Sequence, residues 1–424
     1  MGSNGDRRAV LMVCDGLRAD MITKEHSPTL ARLTSEWFHC SRHSSVFPST
    51  TRVTSASIAT GCLPGTHGLA GNVMAIRENG RLKALNAGAP DFRDRLREST
   101  GRTLLTPTLA QRLADHGGSI VFSNVSPGAA YFQDPDGFGY VYQSSQSYGP
   151  GLKPLPEAEG LPIKKGVAGD QWMTERFCRE VLRERRPALS VIWLSEPDHT
   201  GHDAPLGGPE HLAAIRGADQ RVAEVLETLE RDDPHWERTL FLVCSDHGHE
   251  TVSATVPMEK LLVDEGLKDA LDSDEVVVAS NGTSALIYLD QSVRDRESAL
   301  KDWIAAQEWA GRVYDRSELP GLGHGPEGDL ALAVDMAKQD GNNEYGVPGL
   351  SWIAQDFHST KDYLGHGQHG GLGLNEQNPF LVIRGGDFPL AICTEAPTSP
   401  IQIAPTILRH LGLSHEGMDG QPIR

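Results

Sequence analysis

The sequence predicts an α/β fold with a mostly parallel central sheet and a smaller inserted α+β subdomain, on three observations. Apolar runs at residues 9–14, 189–194 and 239–244 are continuous rather than alternating, as strands buried on both faces are, and each stops at a polar cluster holding Asp15, Asp198 or Asp246. Segments of helical spacing separate these runs, so that strand, polar edge and helix recur in turn. From residue 251 to about 360 the alternation gives way to short strands at 275–278 and 284–288 and a helix near 293–307, which sets this stretch apart from a core of residues 1–250 and 361–424.

The first strand delivers Asp15-Gly16 to the carboxyl edge of the sheet, where open α/β sheets place their ligands, although Asp-Gly is also a common turn. Ser27-Pro28 then opens a capped helix with Pro in its first turn. A β-like run at 44–47 leads into Pro48-Ser49-Thr50-Thr51, after which apolar Val53, Ala56 and Ala59 mark a short helix starting near Thr51. The first N–H groups of such a helix and the positive end of its dipole favour a phosphate-like anion at Thr51, a candidate nucleophile. The plainer role of Ser49, Thr50 and Thr51 is to cap that helix.

A helix at 108–115 and a strand at 119–122 follow. Residues 127–167, rich in Gly, Pro and aromatics, carry little periodicity and read as long loops near the sheet edge, their aromatics either folded onto the core or walling a pocket. Helices at about 170–184 and 209–231, a strand at 380–383 and a closing helix at 401–411 complete the core.

A chain of 424 residues can bury a sizeable core. Its formal net charge of −18 argues against a general nucleic-acid or acidic-membrane binder, whose contacts need clustered Lys and Arg. An anionic substrate would therefore need local positive charge from a metal, an Arg or backbone N–H groups. The six cysteines are scattered without a C-x-x-C pair, and no window approaches about eighteen continuous apolar residues. Reduced core thiols in a cytoplasmic chain with no membrane span are the expectation, and a homodimer is compatible with it.

Asp15, Asp198 with His202, and Asp246 with His247 all follow apolar strands, and His369 lies in the glycine-rich segment His366-Gly-Gln-His369-Gly-Gly. Asp and neutral His suit zinc, and two sets of three would hold two ions while leaving positions open. Two metals roughly 3.5–4 Å apart can clamp both the attacking and the leaving oxygen of an in-line phosphoryl displacement. Singly, each histidine is as readily structural, and His199, His358 and His366 are alternative ligands. The coincidence of these sites with a nucleophile segment makes the case.

In order and spacing, Asp15-Gly16, Pro48-Ser-Thr-Thr51, Thr60-Gly61, Pro64, His67-Gly68, Asp198-x-x-x-His202, Ser245-Asp246-His247-Gly248 and Gly367-Gln-His369-Gly370 resemble the alkaline phosphatase superfamily. Within it the chain is most similar to the nucleotide pyrophosphatase/phosphodiesterase and phosphonoacetate hydrolase branch. The resemblance implies an alkaline-phosphatase-like three-layer sandwich holding two zinc ions, one on Asp198, His202 and His369, the other on Asp15, Asp246, His247 and Thr51. It implies that Thr51 attacks phosphorus to form a phosphothreonine, and that Asn72, with the backbone N–H after the nucleophile, donates to the transferring group. Electrostatic stabilisation of that kind is usually the largest catalytic contribution.

The implied activity is hydrolysis of a phosphodiester or pyrophosphate in a small anionic substrate, with a phosphonate C–P hydrolase or a metal-dependent phosphomutase as alternatives. Cys62-Leu-Pro64-Gly-Thr66 lacks the Arg of a formylglycine motif, which argues against sulfatase activity, and no lysine occurs from Ala84 to Leu152 to hold a phosphonoacetate carboxylate. Arg52 stands where nucleotide phosphodiesterases of this family carry a base-stacking Phe. Either it is a solvated helix residue, or its guanidinium pairs with a substrate carboxylate or second phosphate oxygen.

Overall fold

Ten strands form the central sheet of the computed structural model, which describes residues 7–162, 165–355 and 361–424. In chain order they are β1 (Arg8–Cys14), β2 (Phe38–Cys40), β3 (Ser119–Ser123), β4 (Tyr140–Gln143), β5 (Tyr148–Gly149), β6 (Lys153–Pro154), β7 (Leu189–Leu194), β8 (Thr239–Cys244), β9 (Leu381–Gly385) and β10 (Ile392–Thr394). Across the sheet the order is β10-β2-β9-β8-β1-β7-β3-β4-β5-β6. The five strands from β8 to β4 run parallel, and β9 turns the sheet antiparallel on one side as β5 does on the other.

Both faces of the sheet are covered, which makes three layers. Along β1 the side chains alternate, Ala9, Leu11 and Val13 packing with Ile58 and Ile407, and Val10, Met12 and Cys14 packing with Leu30, Phe177 and Ile215. The helices on the first side are α2 (Thr51–Thr60) and α5 (Ile403–Leu411); those on the second are α1 (Pro28–Glu36), α3 (Gly166–Arg176) and α4 (Pro209–Asp232). Each fully buried aliphatic side chain here contributes about 1.5–3 kcal/mol, which is why continuous apolar runs settle in the middle strands. Helix α1 differs from expectation at its start: Ser27 makes no side-chain cap, and Asp219 of α4 accepts from Thr29 N and Leu30 N instead, pinning two helices together.

Beyond the central sheet lie an antiparallel four-stranded sheet (Val276–Ser280, Ser284–Leu289, Leu330–Met336 and Ala310–Tyr314), a second four-stranded sheet that takes Gly367–Gln368 from past residue 360, and a hairpin of Val73–Glu78 with Arg81–Asn86. The sequence misplaces two segments. Residues 44–47 are irregular, with Ser45 Oγ donating to the Asp246 carbonyl. Residues 127–167 hold a helix at Pro127–Tyr131 and strands β4, β5 and β6, too short for any periodicity to register. Tyr131, Tyr142 and Tyr148 are buried. The six cysteines are unpaired, but Cys393 is exposed and not a core thiol. Among the described residues no helix is long and apolar enough to cross a membrane.

Candidate active site

The carboxyl ends of four of the five parallel strands open onto one cavity of about 400 Å³, walled by Asp15 after β1, Asn124 after β3, Gln143 at the end of β4 with Ser144 and Ser145, Ser195 and Asp198 after β7, and Thr51 of α2. Asp246, after β8, lies behind it: its Oδ1 accepts from Gly16 N at 3.1 Å. Parallel pairing aligns Cys14 with Leu194 and Val13 with Cys244, so the polar residues that follow must emerge together.

Two groups of side chains in this place could hold a metal: Asp198, His202, His249 and His369, with ligand atoms within 4.8 Å of one another, and Asp15, Asp198 and His247. The sequence-derived ligands Asp15, Asp198, His202, His247 and His369 are therefore brought together. Asp246 joins them, its Oδ2 being 3.2 Å from His247 Nε2, with Asp15 Oδ1 at 3.4 Å from the same nitrogen. Tetrahedral ligands bound at about 2.1 Å lie about 3.4 Å apart, so these separations suit one shared ion. The rings of His247 and His369 stack with centroids 3.5 Å apart, so the two groups adjoin.

The chemistry of the donor set fits a divalent cation. His202, His247 and His369 face backbone carbonyls with Nδ1, those of Gly367 (2.9 Å), Gly248 (3.0 Å) and Ser49 (2.7 Å). A carbonyl only accepts, so each ring carries its proton on Nδ1 and presents the Nε2 lone pair inward, the arrangement metal-bound histidines adopt. Asp15 Oδ1 and Asp246 Oδ2 are buried without a hydrogen-bond partner. Burial, then the neighbouring Asp246 and Asp198, push the Asp15 carboxyl well up, and burial raises Asp246 to about 8. Burial lowers His247 to about 3 and drives His369 well down. Left to itself the site would neutralise its acids with protons; a cation does the same while keeping them as ligands.

Thr51 begins α2, and the plain capping role does not describe it. Thr50 makes no side-chain cap and its Oγ1 is buried without a partner, while Ser49 Oγ donates to the Gly371 carbonyl and accepts from Gly370 N. The helix N-terminus is left open toward the cavity, with Thr51 Oγ1 3.1 Å from His247 Nε2. Asn72 sits beside it, its Oδ1 accepting from Arg52 N at 3.1 Å. That N–H, expected to face the transferring group, here orients the Asn72 amide, leaving Nδ2 as the end that can donate.

The Arg52 guanidinium has protein acceptors, the Asn72 carbonyl (3.2 Å), Asn86 Oδ1 (3.0 Å) and Ser126 Oγ (3.3 Å), and it does not wall the cavity. Burial lowers it to about 10. His199 lines the cavity without joining either ligand group, His366 belongs to neither, and His358 lies outside the described residues.

His249, Lys165 and Glu376 are among the residues that escaped the sequence reading. His249 lies two past His247 and ends the run Asp246-His247-Gly248-His249, a spacing that could have signalled it. Lys165 lines the cavity. Glu376, fully buried, accepts from Gly371 N (2.8 Å), Gly373 N (2.9 Å) and the Thr283 hydroxyl, and pairs with Lys338 at 2.8 Å. It braces the loop that presents His369 against Ser49, and nothing in its local sequence reveals that. Glu376→Ala leaves Gly371 N and Gly373 N without their acceptor while Lys338 keeps Asp335 at 3.2 Å, and should lower unfolding stability by about 1–3 kcal/mol in a denaturant titration.

Fold and site together define an α/β protein with a candidate metal centre and a buried threonine hydroxyl beside it at the carboxyl edge of its sheet. The chain belongs to the type I phosphodiesterase / nucleotide pyrophosphatase family, whose model matches residues 9–371. It is similar to venom phosphodiesterase 2 of Crotalus adamanteus, 25% identical over 252 residues, which are 58% of this chain and 27% of that protein. A venom phosphodiesterase of Crotalus durissus collilineatus matches at 25% over 253 residues, 58% of this chain and 26% of the relative, so the match spans about a quarter of each relative's length.

Murine ectonucleotide pyrophosphatase / phosphodiesterase 5, solved as an inactive form in complex with AMP, shares the fold at a TM-score of 0.70 and 19% identity, covering 98% of this chain and 97% of that one. The family and these curated relatives are described as phosphodiesterases.

Proposed function

We propose that this protein is a zinc-dependent hydrolase that cleaves a phosphodiester or pyrophosphate bond in a small anionic substrate through a phosphothreonine on Thr51. The observation that carries it is Thr51 Oγ1, free of any capping bond, 3.1 Å from His247 at the point where the two ligand groups adjoin. Two zinc ions, one on Asp198, His202 and His369 and one on Asp15, Asp246, His247 and Thr51, would supply the positive charge that favours an ionised Thr51 and steadies the departing oxygen.

Thr51 Oγ forms a bond to phosphorus as the bond to the leaving oxygen breaks, and water then releases the phosphoryl half and restores the hydroxyl. The open N-terminus of α2 and Asn72 Nδ2 favour the charge on the transferring oxygens. Asn124, Ser126 and Lys165 offer hydrogen bonds and one positive charge, while no Phe, Tyr or Trp lines the cavity among the described residues. A polar substrate held by hydrogen bonds fits this better than a stacked base. The unpaired cysteines support a reducing, cytoplasmic setting.

Zinc-reconstituted protein should hydrolyse diesters ahead of monoesters, phosphonates and sulfates in a substrate panel; preference for a monoester or a phosphonate would sink the proposal. In the same panel Arg52→Ala should lower kcat by about tenfold on anionic substrates and on small aryl diesters alike, because Arg52 acts by holding Asn72. A rise in KM confined to anionic substrates would instead place its guanidinium on the substrate.

A further inference from the structure

We infer that His249 is a fourth protein ligand to the ion held by Asp198, His202 and His369, an inference that rests on the metal reading above. The first ground is the ring's orientation. His249 Nδ1 is 3.0 Å from the Gly16 carbonyl, so it carries the proton and turns Nε2 inward, as His202, His247 and His369 do. The second is the shape of the cluster. His249, His202 and His369 present Nε2 at 3.0, 3.2 and 3.6 Å from one atom, Asp198 Oδ1, which are the edges of a single tetrahedron around a cation with bonds of about 2.1 Å. A bare Nε2 lone pair facing a carboxylate oxygen at 3.0 Å is repulsive unless a proton or a metal cation lies between them, and a bound metal would take that place.

The third ground is the space made for the ring. A Cβ on Gly16 would fall 2.3 Å from His249 Cε1, and one on Gly367 would fall 2.9 Å from its Cδ2. Gly16 also takes φ +68°, which only glycine adopts at low cost, so the imidazole sits in a slot that two glycines keep open and its carbonyl partner is fixed. His249 is fully buried, and so cannot serve as a surface residue.

With His249 the first ion has four strong ligands, whereas one of the second ion's four is the weakly binding Thr51 hydroxyl, so the first ion should be held more firmly and exchange more slowly than the second. The two ions then differ: three imidazoles and one carboxylate hold the first, whereas two carboxylates, His247 and the Thr51 hydroxyl hold the second.

The test is proton NMR of the full chain stripped of metal and reloaded with two equivalents of Co²⁺. Only an imidazole bonded to cobalt shows a strongly shifted, exchangeable Nδ1–H signal, and the backbone carbonyls protect these protons from exchange. The wild type should give four such signals, and His249→Gln three, with Kd for one of the two cobalt ions raised about tenfold or more and the other unchanged. Three signals in the wild type would overturn the inference without need of the variant, as would a variant that keeps both affinities and all of its signals. Protein that takes up no cobalt overturns this inference and the functional reading together. Four signals with no ester hydrolysis would support it and overturn the functional reading alone.

Discussion

Thr51→Ala should lower kcat on a diester substrate by at least about 10³-fold while leaving the fold, the bound metal and product affinity nearly unchanged. The size follows from the position of the hydroxyl. Thr51 is buried at the first turn of α2, so losing its side chain exposes little and disturbs no capping bond. Asn72 and the helix N-terminus still face the phosphoryl oxygens, so binding survives and the chemical step does not. Thr51→Ser keeps the oxygen and should retain a measurable rate. Steady-state kinetics beside a metal assay separate the outcomes: a Thr51→Ala enzyme with full metal content and within tenfold of wild-type kcat has another nucleophile.

The second large effect concerns the protein stripped of metal, whose thermal stability should fall steeply as pH rises above about 7. Asp15 and Asp246 are buried beside Asp198, and both carboxyls lie far above the usual carboxylate range, Asp246 at about 8. An acid whose folded pKa exceeds its unfolded value binds its proton more tightly when folded. The stability so gained is complete below about pH 4, the unfolded value, and is lost as pH climbs through about 8. Tm of the chelated protein should therefore drop by several degrees between about pH 7 and about 9, above the range where buried His247 and His369 oppose the trend, measured by calorimetry or fluorescence. Zinc-loaded protein should show a much flatter profile across pH 6 to about 9, because the ion replaces the protons. Identical slopes with and without metal would mean that these carboxylates do not share a cation.

Much of this was legible in the sequence because buried parallel strands announce themselves. Residues 189–194 and 239–244 appear as strands with the bounds read from their apolar runs, and their ends carry Asp198 and Asp246 to one edge. The ligand residues could be named because Asp and His at strand ends have few bland explanations when several coincide. Strand β4 stayed hidden because four residues in a glycine-rich stretch give no periodicity, yet Gln143 at its end walls the cavity. Arg52 was read as solvated or substrate-pairing, whereas Asn72 and Asn86 at the base of one hairpin and Ser126 from another segment take its guanidinium, partners no local pattern can supply. Asp219 was invisible for the same reason, since the N–H groups it satisfies lie far away in the chain, and so was Glu376, whose partners Thr283 and Lys338 come from other strands.

The stereochemical course at phosphorus tests a covalent step on Thr51 most directly, using a diester made chiral at phosphorus with sulfur and oxygen isotopes and the zinc-loaded enzyme. Two successive in-line displacements, first by Thr51 and then by water, predict overall retention of configuration. Inversion would mean that water attacks the substrate in one step, and would contradict the assignment of Thr51 as nucleophile.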